Sequence, residues 1–201
     1  MKNKITIIIL IILGIALAVL VGVYFIKRDK TTNQTPTGNG GVIEQPQSKM
    51  ITDDFSINLP AGWKQAAPVM GSSAMAVNMN ENINDPAAQK INFKSYFAVS
   101  SYDTLQGKSM NDYLQIIKNS LSQTIPNVVF TNEQDIAINS QPAHAIEAEL
   151  TQQGVNFKIL MVIVVGQGED VWVISFNTTK SSWDGYKQSF YDIANSFILK
   201  K

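Results

Sequence analysis

The sequence predicts an α/β (α+β) protein, an α/β/α sandwich around an antiparallel β-sheet that one N-terminal transmembrane helix precedes. Three observations predict this architecture. Most apolar segments after residue 50 alternate with period two, two segments repeat every three to four residues, and short polar turns separate them. The resulting order is βββ-α-ββββ-α. Its short connections favour antiparallel hairpins, because parallel crossovers need about a dozen or more residues.

The first element is a predicted transmembrane helix after a short N-terminal tail, residues 1–4. The run from Ile5 to Ile26 has no charged residue, and as a helix it extends roughly 33 Å, enough for a hydrocarbon core of about 30 Å. A cleaved signal peptide is the alternative, but its apolar stretch spans about 7–15 residues and ends at a small-x-small site. The run here is longer and is followed by Lys27 and Arg28. We therefore expect an uncleaved, single-pass signal-anchor.

Residues 27–49 are predicted to form a basic stop and a flexible linker. Positions 31–49 contain three glycines, two prolines and no aromatic residue, a composition that cannot bury enough apolar surface to order itself. Positive charges flank the membrane helix almost equally, so they decide little about its orientation. We expect the globular domain, residues 50–201, to lie outside the cytoplasm at the cell membrane, because a long polar domain behind a single signal-anchor is most often exported.

Seven segments of this domain are predicted strands. They are 55–59, 74–79, 96–102, 128–138, 143–151, 155–165 and 171–178. Two stretches within them, 159–165 and 171–174, are apolar on both faces, which indicates central strands that are covered on each side. Residues 80–89, between the second and third strands, are expected to form a polar loop.

Two segments have a helical period and are expected to cover the two faces of the sheet. The first begins at Ser109, which forms a predicted capping box with Asp112, and it ends before Pro126. The second carries a mainly aromatic stripe near the C-terminus. The members of the stripe are Trp183, Tyr186, Phe190, Ile193 and Phe197. Stripes of this spacing usually face the core, so we expect these side chains to pack against the sheet.

The composition excludes several functional classes. Of 16 basic and 16 acidic residues, five basic and one acidic lie in the first 30 positions. The rest of the chain therefore holds 11 basic and 15 acidic residues, a net charge of −4, and the only arginine is Arg28. A negative domain without guanidinium groups repels polyanions, so we predict no nucleic-acid partner. The absence of cysteine excludes thiolate zinc sites, a cysteine nucleophile and a disulfide framework.

Two segments and the C-terminal stripe resemble the signatures of PsbP-like domains. The segments are Phe55-Ser56-Ile57-Asn58-Leu59-Pro60-Ala61-Gly62-Trp63 and Val171-Trp172-Val173-Ile174-Ser175-Phe176-Asn177-Thr178. The resemblance covers residues 50–201, and the superfamily includes photosystem II extrinsic PsbP, DcrB-like envelope proteins and a nuclear-import factor that acts on the Ran GTPase. It implies an α/β/α sandwich that serves mainly as a binding or assembly module, usually without catalysis.

His144, the only histidine, shares strand parity with the apolar Ile146. A hydrolase would need this histidine beside a carboxylate and a hydroxyl, whereas a single histidine in a strand is more often structural. Glu147 and Glu149 share the opposite face of the same strand. Two carboxylates on one face can perform acid–base chemistry. Alternatively, they form a solvated margin or pair with Lys158 across the hairpin.

Asn80, Asn82 and Asp85 space their oxygen atoms as calcium-binding loops do. Ile83 stands where such a loop needs its glycine, and Gln89 stands where it needs a bidentate glutamate, so a polar loop is the favoured interpretation. The three residues are weak candidates for a ligand or partner surface, together with His144, Glu147 and Glu149. The sequence assigns no catalytic, cofactor-binding or metal-binding residue.

These features together predict a membrane-tethered, non-enzymatic PsbP-like accessory or binding module at the cell envelope, without a cofactor. The membrane is one expected partner, through residues 5–26, and an unidentified protein is the other. The first alternative is a small-ligand-binding domain with a pocket for an apolar or ionic molecule between the sheet and a helix. The second alternative is a hydrolase-like enzyme that uses His144 and a nearby carboxylate.

Overall fold

The computed structural model describes residues 48–68, 71–102, 105, 107–125, 127–166, 168 and 170–200. The predicted tail and membrane helix, and the predicted linker up to residue 47, lie outside the described residues. None of the helices within the described ranges is long and apolar enough to cross a membrane.

The described residues form ten strands and three α-helices. The strands are β1 (Ser48–Ile51), β2 (Phe55–Leu59), β3 (Trp63–Ala66), β4 (Ala74–Asn78), β5 (Tyr96–Tyr102), β6 (Val129–Ile138), β7 (Gln141–Gln152), β8 (Val155–Val165), β9 (Val171–Thr179) and β10 (Ile198–Leu199). The helices are α1 (Pro86–Lys90), α2 (Met110–Thr124) and α3 (Trp183–Asn195). A short 3₁₀ turn, Lys180–Ser182, leads from β9 into α3.

Neighbouring strands are antiparallel, and they form two sheets. The main sheet has the order β3-β4-β5-β9-β8-β7-β6, and a small sheet has the order β1-β2-β10. The protein is therefore α+β with antiparallel sheets. The prediction of a single sheet was wrong, because β2 pairs with β1 and β10 instead of joining the main sheet. Both partners of β2 are too short to show a detectable alternation in the sequence.

The central strands of the main sheet, β8 and β9, are buried on both faces. One face packs against α3 and the small sheet, in a core that includes Phe55 and Phe190. The other face packs against α1 and α2, in a core that includes Leu114 and Ile117. All residues of β9 are buried, so the prediction that residues 171–174 belong to a central strand is confirmed.

The two long helices form where their period predicts them. α2 begins with the predicted capping box, in which the Asp112 N–H donates to Ser109 Oγ at 3.2 Å and the Ser109 N–H donates to Asp112 Oδ2 at 3.1 Å. α3 turns its stripe toward the main sheet, and Trp183, Phe190 and Ile193 are buried. A capped start and an apolar face account for α2. α3 has the apolar face alone, because Ser182 at its start makes no side-chain capping hydrogen bond.

The short helix α1 occupies the end of the predicted polar loop at 80–89, so this part of the prediction was wrong. The carboxylate of Asp85 caps α1, since its Oδ1 accepts from the N–H groups of Ala87 at 2.9 Å and Ala88 at 3.1 Å. Pro86 lies in the first turn, where a residue without an N–H is tolerated. A helix this short has no apolar period that sequence analysis could detect.

Candidate functional site

His144 belongs to a cluster on the face of the main sheet that α2 covers. It lies opposite Asp135 of β6 in the strand register. Its Nδ1 is 2.7 Å from Asp135 Oδ1, and its Nε2 is 3.2 Å from Glu133 Oε1. Lys118 of α2 donates to Glu133 Oε2 at 2.6 Å. Because both ring nitrogens face carboxylates, neither is placed to activate a hydroxyl nucleophile.

Glu147 occupies the opposite face, beside α3, where its side chain is only 3 % exposed. Its carboxylate lies 3.0 Å from Lys187 Nζ and 3.4 Å from Lys158 Nζ. Asn132 Nδ2 and Tyr191 Oη donate to Glu147 Oε1 at 3.3 and 3.4 Å. Burial, the largest single effect, would by itself raise the pKa of Glu147. The hydrogen bonds from Lys187 and Asn132 and the two lysine charges outweigh burial and hold this pKa below its ordinary value.

Glu149 extends this ionic network toward solvent. Lys180 donates to Glu149 Oε2 at 2.6 Å, and Lys158 Nζ lies 3.6 Å from Glu149 Oε1. The hydrogen bond from Lys180 is the main cause that lowers the pKa of Glu149, and burial opposes it. Lys158 Nζ also lies 4.9 Å from the centroid of the Trp183 ring. The network therefore joins the 3₁₀ turn and the first turns of α3 to β7 and β8.

The other three candidates from the sequence lie elsewhere. Asn80 and Asn82 are exposed, and the carboxylate of Asp85 caps α1. All three follow β4, and β5, β9 and β8 separate β4 from β7. The six candidates therefore form three separate groups instead of one site. Within the described ranges, no group of three or more His, Cys, Asp or Glu side chains is arranged to hold a metal ion.

Sequence analysis missed Glu81, which is a buried carboxylate. Its Oε2 accepts from the Ser95 N–H at 2.5 Å and its Oε1 from Ser95 Oγ at 2.8 Å, while Lys94 donates to its backbone carbonyl. Burial, and then the charge of Glu81, raise the pKa of Tyr186 to about 12. Glu81 stands among asparagines in the predicted polar loop, so its neighbours in the sequence carry no signal of burial.

Comparisons with known proteins identify the fold. No protein-family model matches the chain, and no curated protein matches it. Solved structures do match. The chain is similar to cyanobacterial PsbP (CyanoP) from Synechocystis sp. PCC 6803, with 14 % sequence identity and a TM-score of 0.53, over 83 % of this chain and 100 % of that one. The described domain has the PsbP-like fold.

Two further structures share this PsbP-like fold. LpqN, which is involved in cell envelope biogenesis of Mycobacterium tuberculosis, is 12 % identical with a TM-score of 0.54, over 79 % of this chain and 88 % of that one. The Ran-binding protein Mog1p of Saccharomyces cerevisiae is 13 % identical with a TM-score of 0.50, over 76 % of this chain and 96 % of that one. Identities this low show the fold alone. The shared fold confirms the fold resemblance that the sequence predicted.

The described domain exposes two isoleucines on its small sheet. Ile51 of β1 and Ile198 of β10 are both register partners of Ser56 on β2, so the three side chains form a row across the outer face. Ile51 is 63 % exposed and Ile198 is 48 % exposed, whereas the neighbouring Met50 and Ile57 are fully buried. We call this feature the isoleucine row. The sequence analysis could not predict it, because it did not identify β1 or β10.

Proposed function

We propose that the protein is a single-pass, membrane-tethered binding module of the cell envelope, in which residues 5–26 hold an α/β/α sandwich outside the cytoplasm. In this proposal the protein is not an enzyme, and its partner is a membrane-associated protein. The isoleucine row carries the proposal. It is an exposed apolar surface on the small sheet, whose first strand begins at Ser48.

The structural neighbours support a protein partner. Mog1p is a Ran-binding protein, and LpqN is involved in cell envelope biogenesis. The fold therefore serves for protein binding in one neighbour and for an envelope role in another. Transfer of these roles to this chain rests on analogy between folds, because the same fold can host unrelated functions.

The position of the isoleucine row supports a partner at the membrane. β1 begins at Ser48, at the end of the predicted linker, and a flexible coil of about 19 residues has a root-mean-square reach of roughly 25 Å. Such a tether keeps the small sheet near the bilayer and raises the effective concentration of any partner in the same membrane. Burial of two exposed isoleucines would then contribute about 25 cal/mol per Å² of apolar surface removed from water.

The two ionic clusters support a role without catalysis. A general base must reach a proton of the substrate. His144 instead contacts Asp135 and Glu133 through its two ring nitrogens, and Glu147 is buried against Lys187 and Lys158. Both clusters connect strands to helices, so we assign them to the stability of the domain.

Photocrosslinking in native membranes tests the proposal. The full chain carries p-benzoylphenylalanine at position 51 or 198, and a matched control carries it at Gln115, an exposed residue of α2. We expect positions 51 and 198 to give the same discrete protein adduct and position 115 to give none. An Ile51→Asp substitution should abolish the adduct at position 198. Adducts to lipid alone, or an equal protein adduct at position 115, would contradict a protein partner on the isoleucine row.

A further inference from the structure

Four buried side-chain atoms in the described part of the protein have no hydrogen-bond partner. They are Oη of Tyr96, Oγ of Ser100, Oη of Tyr113 and Oδ1 of Asn177. The side chains of the three strand residues are almost completely enclosed, because Tyr96 is 2 % exposed and Ser100 and Asn177 are each 1 % exposed. Buried polar groups in folded proteins are nearly always paired, so four unpaired atoms need an explanation.

These four atoms share one face of the main sheet. Tyr96 on β5 lies directly opposite Asn177 on β9, and Ser100 lies opposite Val173. Antiparallel partners point to the same face, and Tyr96 and Val173 both belong to the core beneath α2. Tyr113 of α2 packs against the same core. The four groups therefore lie on the face of the sheet that α2 covers, and Tyr96 and Asn177 are direct neighbours there.

Small side chains occupy the sheet between the unpaired atoms. Ala98 and Ser175 are register partners, one step along β5 and β9 from the Tyr96–Asn177 pair. Asn177 Nδ2 donates to Ser175 Oγ at 3.3 Å, so the amide donor has a partner while its oxygen Oδ1 has none. Met75 and Met161 are the next register partners on either side of Ala98 and Ser175. Methionine side chains are flexible and adapt to irregular space.

The unpaired groups offer both donors and an acceptor. Burial raises the pKa of Tyr113 to about 12 and raises the pKa of Tyr96 further, so both hydroxyls keep their protons at neutral pH. With Ser100, three hydroxyl groups can donate, and Asn177 Oδ1 can accept. None of the four side chains carries a charge. An ion placed among them would lose its hydration without a counter-charge, which is strongly unfavourable.

We infer that the space between β5, β9 and α2 binds a small uncharged molecule that carries both a hydrogen-bond donor and an acceptor on an apolar body. The donor of the ligand would pair with Asn177 Oδ1, and its acceptor would pair with the hydroxyl of Tyr96, the register partner of Asn177. Small amides and alcohols have this chemistry. An ionic molecule, one of the two ligand types in the alternative drawn from the sequence, does not. The inference is independent of the protein partner proposed for the isoleucine row.

Ligand titration of the full chain in detergent tests the inference. The probes are benzamide and benzyl alcohol, with benzoate as the charged control and toluene as the apolar control. We expect benzamide or benzyl alcohol to raise the melting temperature in a saturable way, because a ligand that binds the folded state stabilises it. Benzoate and toluene should give no saturable shift at the same concentrations. Equal shifts from all four compounds, or none from either uncharged polar probe, would contradict the inference.

Two matched variants separate binding from folding. Tyr96→Phe removes an unpaired hydroxyl, so the ligand-free protein should melt at the same temperature or higher, and the dissociation constant of the polar probe should rise about 2- to 10-fold. Tyr186→Phe removes a hydroxyl that accepts from Asn78 Nδ2 at 2.8 Å on the opposite face. It should lower the melting temperature and leave probe binding unchanged. A lower melting temperature in Tyr96→Phe would show that this hydroxyl already has a partner, such as a buried water, and would overturn the inference.

Discussion

His144 and Asp135 are 2.7 Å apart between Nδ1 and Oδ1, yet their side chains are 8 % and 92 % exposed. Water therefore screens the charge of Asp135, and the pair resembles a surface contact more than a catalytic dyad. Glu133, on the other ring nitrogen, is more enclosed and also contacts Lys118. Glu133 is thus the carboxylate through which this cluster stabilises the fold.

Glu133→Gln is expected to lower stability modestly and to change its pH dependence. The hydrogen bond from Lys118 lowers the pKa of Glu133 against opposing burial, with further lowering from the Lys118 charge and from His144. A carboxyl group with a lowered pKa adds stability above its unfolded pKa, and this stability is lost as the pH falls through the folded pKa. The loss at pH 7 should be under about 1 kcal/mol because the pair is partly solvated.

Urea unfolding at several pH values between about 3 and 7 measures this effect as a change in the free energy of unfolding. This range brackets the ordinary Glu pKa of about 4.3. The Glu133→Gln variant should lose less stability on acidification than the unsubstituted protein. Asp135→Asn serves as the matched control and should lie close to the unsubstituted protein at pH 7. If Asp135→Asn is the more destabilised variant, the screening argument fails.

Glu147→Gln is expected to have a larger effect, because this carboxylate is buried. The substitution removes the charge that Lys187 and Lys158 contact at 3.0 and 3.4 Å. Lys158 keeps a contact with Glu149, so it is not left entirely uncompensated. Hydrogen bonds to charged groups contribute about 1.5–3 kcal/mol each, and we expect a loss of about 1–3 kcal/mol in the free energy of unfolding.

Glu149→Gln provides the control for Glu147→Gln. Its main partner, Lys180, is more than half exposed, so the loss should stay below about 1 kcal/mol. Chemical denaturation at pH 7 compares the two variants directly. Equal losses would mean that burial does not set the strength of the network.

Trp183→Ala is expected to lower the free energy of unfolding by about 3–5 kcal/mol, as truncation of core aromatic residues does. Trp183 is buried in the core between α3 and the sheet, and its ring lies 6.1 Å from that of Phe190 in an edge-on arrangement. Trp183→Phe keeps most of the apolar contact and should lose less. An unchanged melting midpoint in Trp183→Ala would contradict the buried position of the ring.

Periodicity predicted the long elements because side chains alternate in a strand and repeat about every 3.6 residues in a helix. The same rule placed His144 and Glu147 on opposite faces of β7. Glu133, which contacts His144, also contacts Lys118 of α2, and Glu147 contacts Lys187 of α3. Strand β3 was missed because only Trp63 of its four residues is buried. A strand with one buried position has no alternation to detect.

The partners of the candidate residues could not be predicted, because they come from distant elements. Lys187 and Tyr191 contact Glu147 from α3. Tyr191 lies more than forty positions from Glu147 in the sequence. Such contacts depend on how the helix docks on the sheet, and the pattern along one segment does not contain that information. The neighbouring positions of Tyr96 and Asn177 likewise follow from the strand register, which the sequence pattern does not contain.

Deletion of residues 1–30 is expected to leave a folded domain that no longer requires the membrane. The two cores of the described protein are formed by residues from Met50 onward. The shortened chain should melt cooperatively without detergent, and carbonate extraction should release it, whereas the full chain should remain in the pellet. Aggregation or non-cooperative melting of the shortened chain would show that the deleted segment contributes to the fold.

The orientation of the full chain can be tested with one introduced thiol. The sequence contains no cysteine, so Gln115→Cys on the exposed side of α2 is the only site for a maleimide. We expect a membrane-impermeant maleimide to label this variant in intact cells, because the domain is proposed to lie outside the cytoplasm. Asn3→Cys, in the short tail before the predicted membrane helix, is the matched control and should react only after permeabilisation. The reverse pattern would place the domain in the cytoplasm and would rule out an extracytoplasmic partner.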